Sequence, residues 1–238
     1  MIKITILVDD LNGSLNGFVC SYGFSALIEL EENKILFDTG TEEQPLAKIL
    51  KLMGYSPNDI DAVILSHNHY DHTNGLPILL RNNPDLPVYV NKDWDKNISY
   101  KGRKIPTKNK IIVEHGKRLD NINSNIIITD SFYSSDYGGV YEHACYIKKD
   151  SHFILICGCC HPGLNKFLQN RERLNIFTDD LTIMGGLHGF KFSDNEAENI
   201  SPELDEIILC HCTSNIKTYQ NQFKEKCSIG LVGKTYLF

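Results

Sequence analysis

The run Ser66-His67-Asn68-His69-Tyr70-Asp71-His72 sets three imidazoles and one carboxylate within six residues, directly after the apolar stretch Ala62-Val63-Ile64-Leu65. Neutral imidazole and ionised carboxylate are the usual ligands for zinc and for iron. On a strand-to-loop corner these four donors can serve two metals. His67 and His69 turn to one side, Asp71 and His72 to the other. The flanks fit such a corner: an apolar strand precedes it, and Thr73-Asn74-Gly75 opens a helix after it.

Three further histidines follow the ends of apolar runs, each beside glycine or cysteine: His161 after residues 153–157, His188 after residues 181–184 and Gly185-Gly186, and His211 after residues 207–210. Loops at strand ends, held on a rigid sheet, are where site residues project. Asp38, in Phe37-Asp38-Thr39-Gly40, also ends a strand. A carboxylate there can accept the N–H of a ligating imidazole and fix its tautomer.

The elements that must carry these residues are legible in outline. Strands are predicted over 2–8, 24–30, 34–37, 61–65, 88–90, 125–129, 143–148, 152–157, 181–184, 206–210 and 235–238. Pro45 opens a helix in which Leu46, Ile49, Leu50 and Met53 share one face, and Gly54 sits at its C-terminal cap. Further helices are predicted from about Gly75 to Asn82, over 163–172, and after Ser214 as N-cap, with Ile216, Tyr219 and Phe223 on one face. Residues 91–120 are polar and carry no periodicity; a lid or substrate wall is expected there. Periodicity alone gives a mixed α/β or α+β class.

The chain has 238 residues, 42% of them hydrophobic, which suffices for a sizeable core. No linker or repeat divides it, so a single domain over 1–238 is expected. The net charge is −6. Lysine and arginine are spread out, with a modest cluster at Lys101, Arg103, Lys104, Lys108 and Lys110. No nucleic-acid surface is expected from this distribution. A small-molecule substrate, anionic ones included, remains open, as does a homo-oligomer. The apolar N-terminus is short and broken by Lys3, so it reads as a strand and not a signal peptide. No apolar run nears the roughly 20 residues that span a bilayer. Most of the eight cysteines end apolar runs beside histidines, which argues for reduced thiols and not a secreted disulfide framework. A cytoplasmic protein without a membrane partner is expected.

The corner resembles the H-x-H-x-D-H signature of the metallo-β-lactamase superfamily. Phe37-Asp38-Thr39-Gly40, Leu65 to Leu76, Gly158-Cys159-Cys160-His161-Pro162-Gly163, Gly185-Gly186-Leu187-His188 and His211-Cys212-Thr213 occur in this order along the chain. That set is similar to the dihydropterin-ribofuranosylaminobenzene-phosphate synthase-like subgroup, over residues about 5–215. The resemblance implies a four-layer αββα sandwich of two mixed sheets. It implies that His67, His69 and His161 hold one metal, and that Asp71, His72 and His211 hold a second. It places Asp38 behind the metal ligands. Where much of the superfamily has a bridging Asp, this chain has Gly158-Cys159, so Cys159 is a bridging candidate and, equally, a plain buried thiol. His143 or His115 could take the place of His161.

The resemblance implies a metal-dependent hydrolase with two divalent ions, zinc first and iron or manganese as alternatives. A metal-bound hydroxide would attack a small phosphate- or ester-containing metabolite. Asp71 would act as ligand and proton acceptor, and His188 as a donor to the substrate oxygen or leaving group. Lys191, Asn165 and Lys166 are candidates for holding a phosphate. A pterin-related synthase or transferase, a di-iron redox or oxygen-handling protein, and a non-catalytic metal-dependent sensor are the rivals.

Overall fold

The computed structural model describes residues 1–238. The first of its two seven-stranded sheets runs, in spatial order, Thr235–Leu237, Ile2–Val8, Ser25–Leu30, Asn33–Phe37, Ala62–Ile64, Val88–Asn91 and Lys110–Val113. The second runs Cys227–Ile229, Leu204–Leu209, Leu181–Gly185, His152–Cys157, Cys145–Lys149, Asn123–Ile128 and Lys117–Leu119. Both sheets are mixed. From Asn33–Phe37 to Lys110–Val113 the first is parallel, and its other half is antiparallel. In the second, the four strands from His152–Cys157 to Cys227–Ile229 are parallel and the rest antiparallel.

Side-chain alternation explains the layering. Cys145, Ile147, Ile154 and Ile156 enter the core that the two sheets share. Their neighbours Tyr146, Phe153, Leu155 and Cys157 point the other way, into a second core with Phe167, Ala197, Tyr219 and Phe223. Those last four belong to helices Leu164–Arg173, Asp194–Ile200 and Ile216–Phe223. On the far side, Leu46, Ile49 and Leu50 of helix Glu43–Leu52, with Leu76 and Leu79 of helix Leu76–Asn82, cover the first sheet. The result is a four-layer αββα sandwich. Because the strands of the second sheet are buried on both faces, a one-residue slip would exchange its two apolar sets between cores of different shape, and register is strongly fixed.

The predicted strands are present, with ends shifted by a residue or two. Helix one starts at Glu43, so Pro45 lies inside its first turn instead of opening it. The last helix is preceded by Asn215, not Ser214, and its first turn has no side-chain cap. Residues 91–120 contain two short strands, Lys110–Val113 and Lys117–Leu119. Among the features that escaped the sequence reading are the turn Tyr70–Thr73 inside the His cluster, the helix Asp194–Ile200, the hairpin Phe132–Ser134 with Val140–Glu142, and the edge strand Cys227–Ile229. No helix is long and apolar enough to cross a membrane.

The functional candidates gather at one edge. Asp38, His67, His161, His188 and His211 each follow the C-terminal end of a parallel strand, where ligand sites of open α/β sheets lie. The two sheets meet tightly there. A Cβ on Gly158 would come 2.1 Å from Ser66 Oγ and 3.1 Å from Asp38 Oδ2. Gly158→Ala is therefore expected to cost about 1–3 kcal/mol through overpacking. Urea denaturation checks this; a loss below about 0.5 kcal/mol would mean the sheets yield at this contact.

Candidate metal centre

The site is built on buried polar contacts. Asp38 is fully buried and holds the left-handed backbone conformation, φ 57°. Its Oδ1 accepts the Ser66 N–H at 2.7 Å, and its Oδ2 accepts the Ser66 hydroxyl at 2.7 Å and His72 Nδ1–H at 2.7 Å. With its proton committed to Asp38, Ser66 Oγ accepts from His67 Nδ1 at 2.9 Å. One carboxylate thus sets the tautomers of two histidines and leaves Nε2 of each as a lone-pair donor. Asp38, expected behind the metal ligands, is hydrogen-bonded here to Ser66 and to the His72 ring.

His161 and His211 are oriented in the same way. His161 Nδ1 lies 3.2 Å from Asp136 Oδ2, and His211 Nδ1 lies 2.5 Å from Asp10 Oδ1. The His211 backbone N–H donates to Asp9 Oδ2 at 2.7 Å. Glu142, fully buried, accepts three successive backbone N–H groups, from Cys159 (2.8 Å), Cys160 (2.9 Å) and His161 (2.7 Å). Burial pushes its carboxyl up to about 6 in spite of those bonds. Asp9, Asp10, Asp136 and Glu142 were all missed in the sequence. Asp9-Asp10 at a strand end was the one visible signal; the others stand in no recognisable pattern.

The imidazoles converge in two groups. Donor atoms of His67, His69 and His161 lie within 4.8 Å of one another, as do those of Asp71, His72 and His211. His67 Nε2 is 3.0 Å from His69 Nδ1, while Nε2 of His69 and Nε2 of His161 are buried with no hydrogen-bond partner. Buried polar atoms are normally satisfied. A set of converging, unsatisfied nitrogens fits a bound cation. The alternatives do not join the set: His143 turns Nε2 to Leu65 O at 2.9 Å, and His115 is exposed.

Electrostatics separate the groups. Burial, then the neighbouring imidazoles, holds His67 well below its ordinary value, His69 at about 4 and His161 at about 3. Burial also opposes charge on His72 and His211. There the carboxylates prevail: Asp38 and Asp71 raise His72, and Asp10 and Asp71 raise His211 to about 10. Burial disfavours ionised Asp71 too, but His72 and His211 hold its carboxyl below the usual range.

A cavity of about 250 Å³ opens above both groups. Its floor carries His69, Asp71, His161, His211, Cys159 and Cys212, and its mouth Tyr22, Tyr70, Tyr100, Tyr137 and His188. Tyr100 comes from the polar segment expected to form a wall. His188 Nε2 lies 3.0 Å from Tyr137 Oη. Four of the ten non-glycine residues with positive φ line this cavity, Tyr100, Tyr137, His188 and Cys212, and Cys160 is the chain neighbour of two that do. Such strain collects at functional sites. Cys159 Sγ lies 3.1 Å from His72 Nε2 and within 4.8 Å of a His67 donor, so its sulfur stands between the two groups and on the side of the second. Cys157, by contrast, is a buried core thiol, pushed up by burial. The phosphate candidates are not brought in. Lys191 and Lys166 are exposed and do not line the cavity, and the Asn165 amide donates to Glu196 Oε1 at 2.6 Å.

A model of the metallo-beta-lactamase superfamily matches residues 19–136. An uncharacterized protein of Methanocaldococcus jannaschii is 31% identical over 242 residues, covering 88% of this chain and 90% of its own. The chain belongs to the metallo-beta-lactamase superfamily. A second superfamily relative in M. jannaschii, named 7,8-dihydropterin-6-methyl-4-(beta-D-ribofuranosyl)-aminobenzene-5'-phosphate synthase, is 28% identical, covering 82% of this chain and 80% of its own. Among solved structures, a metal-dependent hydrolase of the beta-lactamase superfamily superposes with a TM-score of 0.74 at 22% identity, covering 100% of this chain and 99% of that one, a likeness of fold. Metallo-beta-lactamase relatives with names are enzymes, and the chain's His, Asp and Cys clusters are able to hold divalent metal.

Glu142 tests the construction of the site. In Glu142→Gln the amide NH₂ faces backbone N–H groups that need an acceptor. The expected loss is about 1–3 kcal/mol of stability, together with weaker metal retention through His161. Denaturant midpoints and a chelator competition measure the two; if neither moves, Glu142 does not hold the loop.

Proposed function

We propose that the protein is a metal-dependent hydrolase acting on a small phosphate- or ester-containing metabolite. The observation that carries this reading is the convergence of two donor groups on the floor of one small open cavity, with the Asp71 carboxylate among them. His67, His69 and His161 would hold one divalent ion, and Asp71, His72 and His211 the other, zinc being the ion best matched to this imidazole-rich set. When bound, such ions lower the pKa of a coordinated water from 15.7 to about 7 and polarise an oxygen under attack.

The chain's own residues do the rest. Asp71, kept ionised by His72 and His211, accepts a proton from the attacking water. His188, steadied at 3.0 Å by the Tyr137 hydroxyl, donates to the substrate oxygen or protonates the leaving group. Tyr22, Tyr70, Tyr100 and Tyr137 narrow the mouth and exclude bulk water. A second reading keeps the same site but makes the chain a pterin-related synthase or transferase, in line with the synthase name of the 28% identical relative. The tyrosine rim favours it, because four aromatic faces suit a flat ring.

His69→Ala should lose both metal and turnover while its circular dichroism stays native. His188→Ala should keep its metal and lose about 10²–10⁴ in kcat. The assays are metal content by inductively coupled plasma mass spectrometry and hydrolysis of phosphodiesters, phosphomonoesters and lactones. Turnover by metal-free His69→Ala would refute the reading, and about two irons per chain would move redox chemistry ahead of it.

A further inference from the structure

Two of the eight cysteines face the cavity, Cys159 and Cys212. Of the others, Cys145, Cys157, Cys160 and Cys210 lie in the apolar cores, Cys227 is half-buried against the second core, and Cys20 is exposed. Cys159 and Cys212 come from different strand ends, 53 residues apart in sequence, yet their Sγ atoms lie 3.2 Å from each other. Cys159 Sγ is 3.1 Å from His72 Nε2, and the donor atoms of Cys159, His211 and Cys212 lie within 4.8 Å of one another. Space for the second sulfur depends on a missing side chain: a Cβ on Gly186 would come 2.8 Å from Cys212 Sγ. As neutral thiols the pair gains little from this arrangement, since S–H is a weak donor and sulfur a weak acceptor.

We propose that Cys159 and Cys212 are paired sulfur ligands to the cation held by His72 and His211, making that position selective for thiophilic divalent ions. The inference rests on the metal-centre reading and adds to it a soft-ligand position. Binding displaces the two S–H protons to solvent, and two thiolates with two imidazoles form a four-donor set of the kind that suits zinc. Manganese and magnesium, which prefer oxygen donors, are disfavoured there. Asp71 is then freer to serve as proton acceptor. The other position is dominated by the imidazoles of His67, His69 and His161, with Cys159 Sγ also within 4.8 Å of a His67 donor, and is the less selective of the two.

Cobalt(II) titration of the metal-free full chain, in a phosphine reductant free of thiols, tests this. The wild type should develop thiolate-to-cobalt charge-transfer absorption. Cys159→Ser and Cys212→Ser should each lose about half of it, and the double variant all of it. The double variant should keep the d–d bands of the imidazole position. Its zinc affinity at the second position should fall about tenfold or more, by analogy with other losses around metal ligands, with manganese affinity unchanged. Cadmium-113 NMR on the unaltered chain reads the same point without any substitution, through a resonance displaced toward sulfur coordination. Cobalt bound with no charge-transfer band, or a band untouched by Cys212→Ser, overturns the proposal and leaves the hydrolase reading standing. No cobalt bound at all overturns both.

Discussion

The Asp38 carboxylate is the constraint on which the centre depends. It lies at the end of a parallel strand of the first sheet, with no exposure and a left-handed backbone. A buried carboxylate is costly unless its oxygens are paired. Here one oxygen takes the Ser66 N–H while the other takes the Ser66 hydroxyl and His72 Nδ1–H. The backbone around it is also committed: Asp38 N–H donates to Ile64 O, and its carbonyl accepts the Ser25 hydroxyl at 2.8 Å. With every direction taken, the side chain cannot rotate without orphaning several groups. The Ser66 hydroxyl carries the constraint on to His67, so members of both donor groups refer to one buried anion.

The same device recurs around the cavity with different donors. Asp10 and Asp9 fix His211 by ring and by backbone, and Asp136 meets the His161 ring. Glu142 fixes the loop beneath His161 through three amides. These acids come from the end of strand Ile2–Val8 in the first sheet and from the hairpin, whereas His161 and His211 follow strands of the second sheet. The centre therefore forms only when the sandwich closes, and its precision rests on the packing of Gly158 against Ser66 and Asp38. Rigid sheets bear the cost of the strained loops at their ends.

The range of each interaction decided how much of this was legible in the sequence. The His67 to His72 corner was readable because its donors lie within one turn of chain, and the apolar alternation fixed most strands for the same local reason. Asp38 was readable from its place after a strand. Asp10 and His211 were not paired in advance, since 201 residues separate them and no periodicity links them. The hairpin that delivers Tyr137 and Glu142 has no alternation strong enough to declare it. Helix Asp194–Ile200 could have been found, for Ser193 and Glu196 form a capping box. Choosing Lys191 and Asn165 by nearness in sequence failed on geometry: one points to solvent, and the other spends its amide on Glu196.

The charge pattern explains why two donor groups so close together do not behave alike. His67, His69 and His161 are neutral because burial and mutual repulsion remove their protons, so their lone pairs stand ready. His72 and His211 lie among Asp38, Asp71 and Asp10, which favour positive charge at that point. The protons those carboxylates retain on the imidazoles mark a place where a cation is stabilised. A divalent ion concentrates more charge there than two imidazolium groups spread over their rings, and it leaves the carboxylate partners of Nδ1 undisturbed. The acids behind the histidines thus serve twice. They choose which ring nitrogen faces the cavity, and they set a negative field that would favour a cation at the second group.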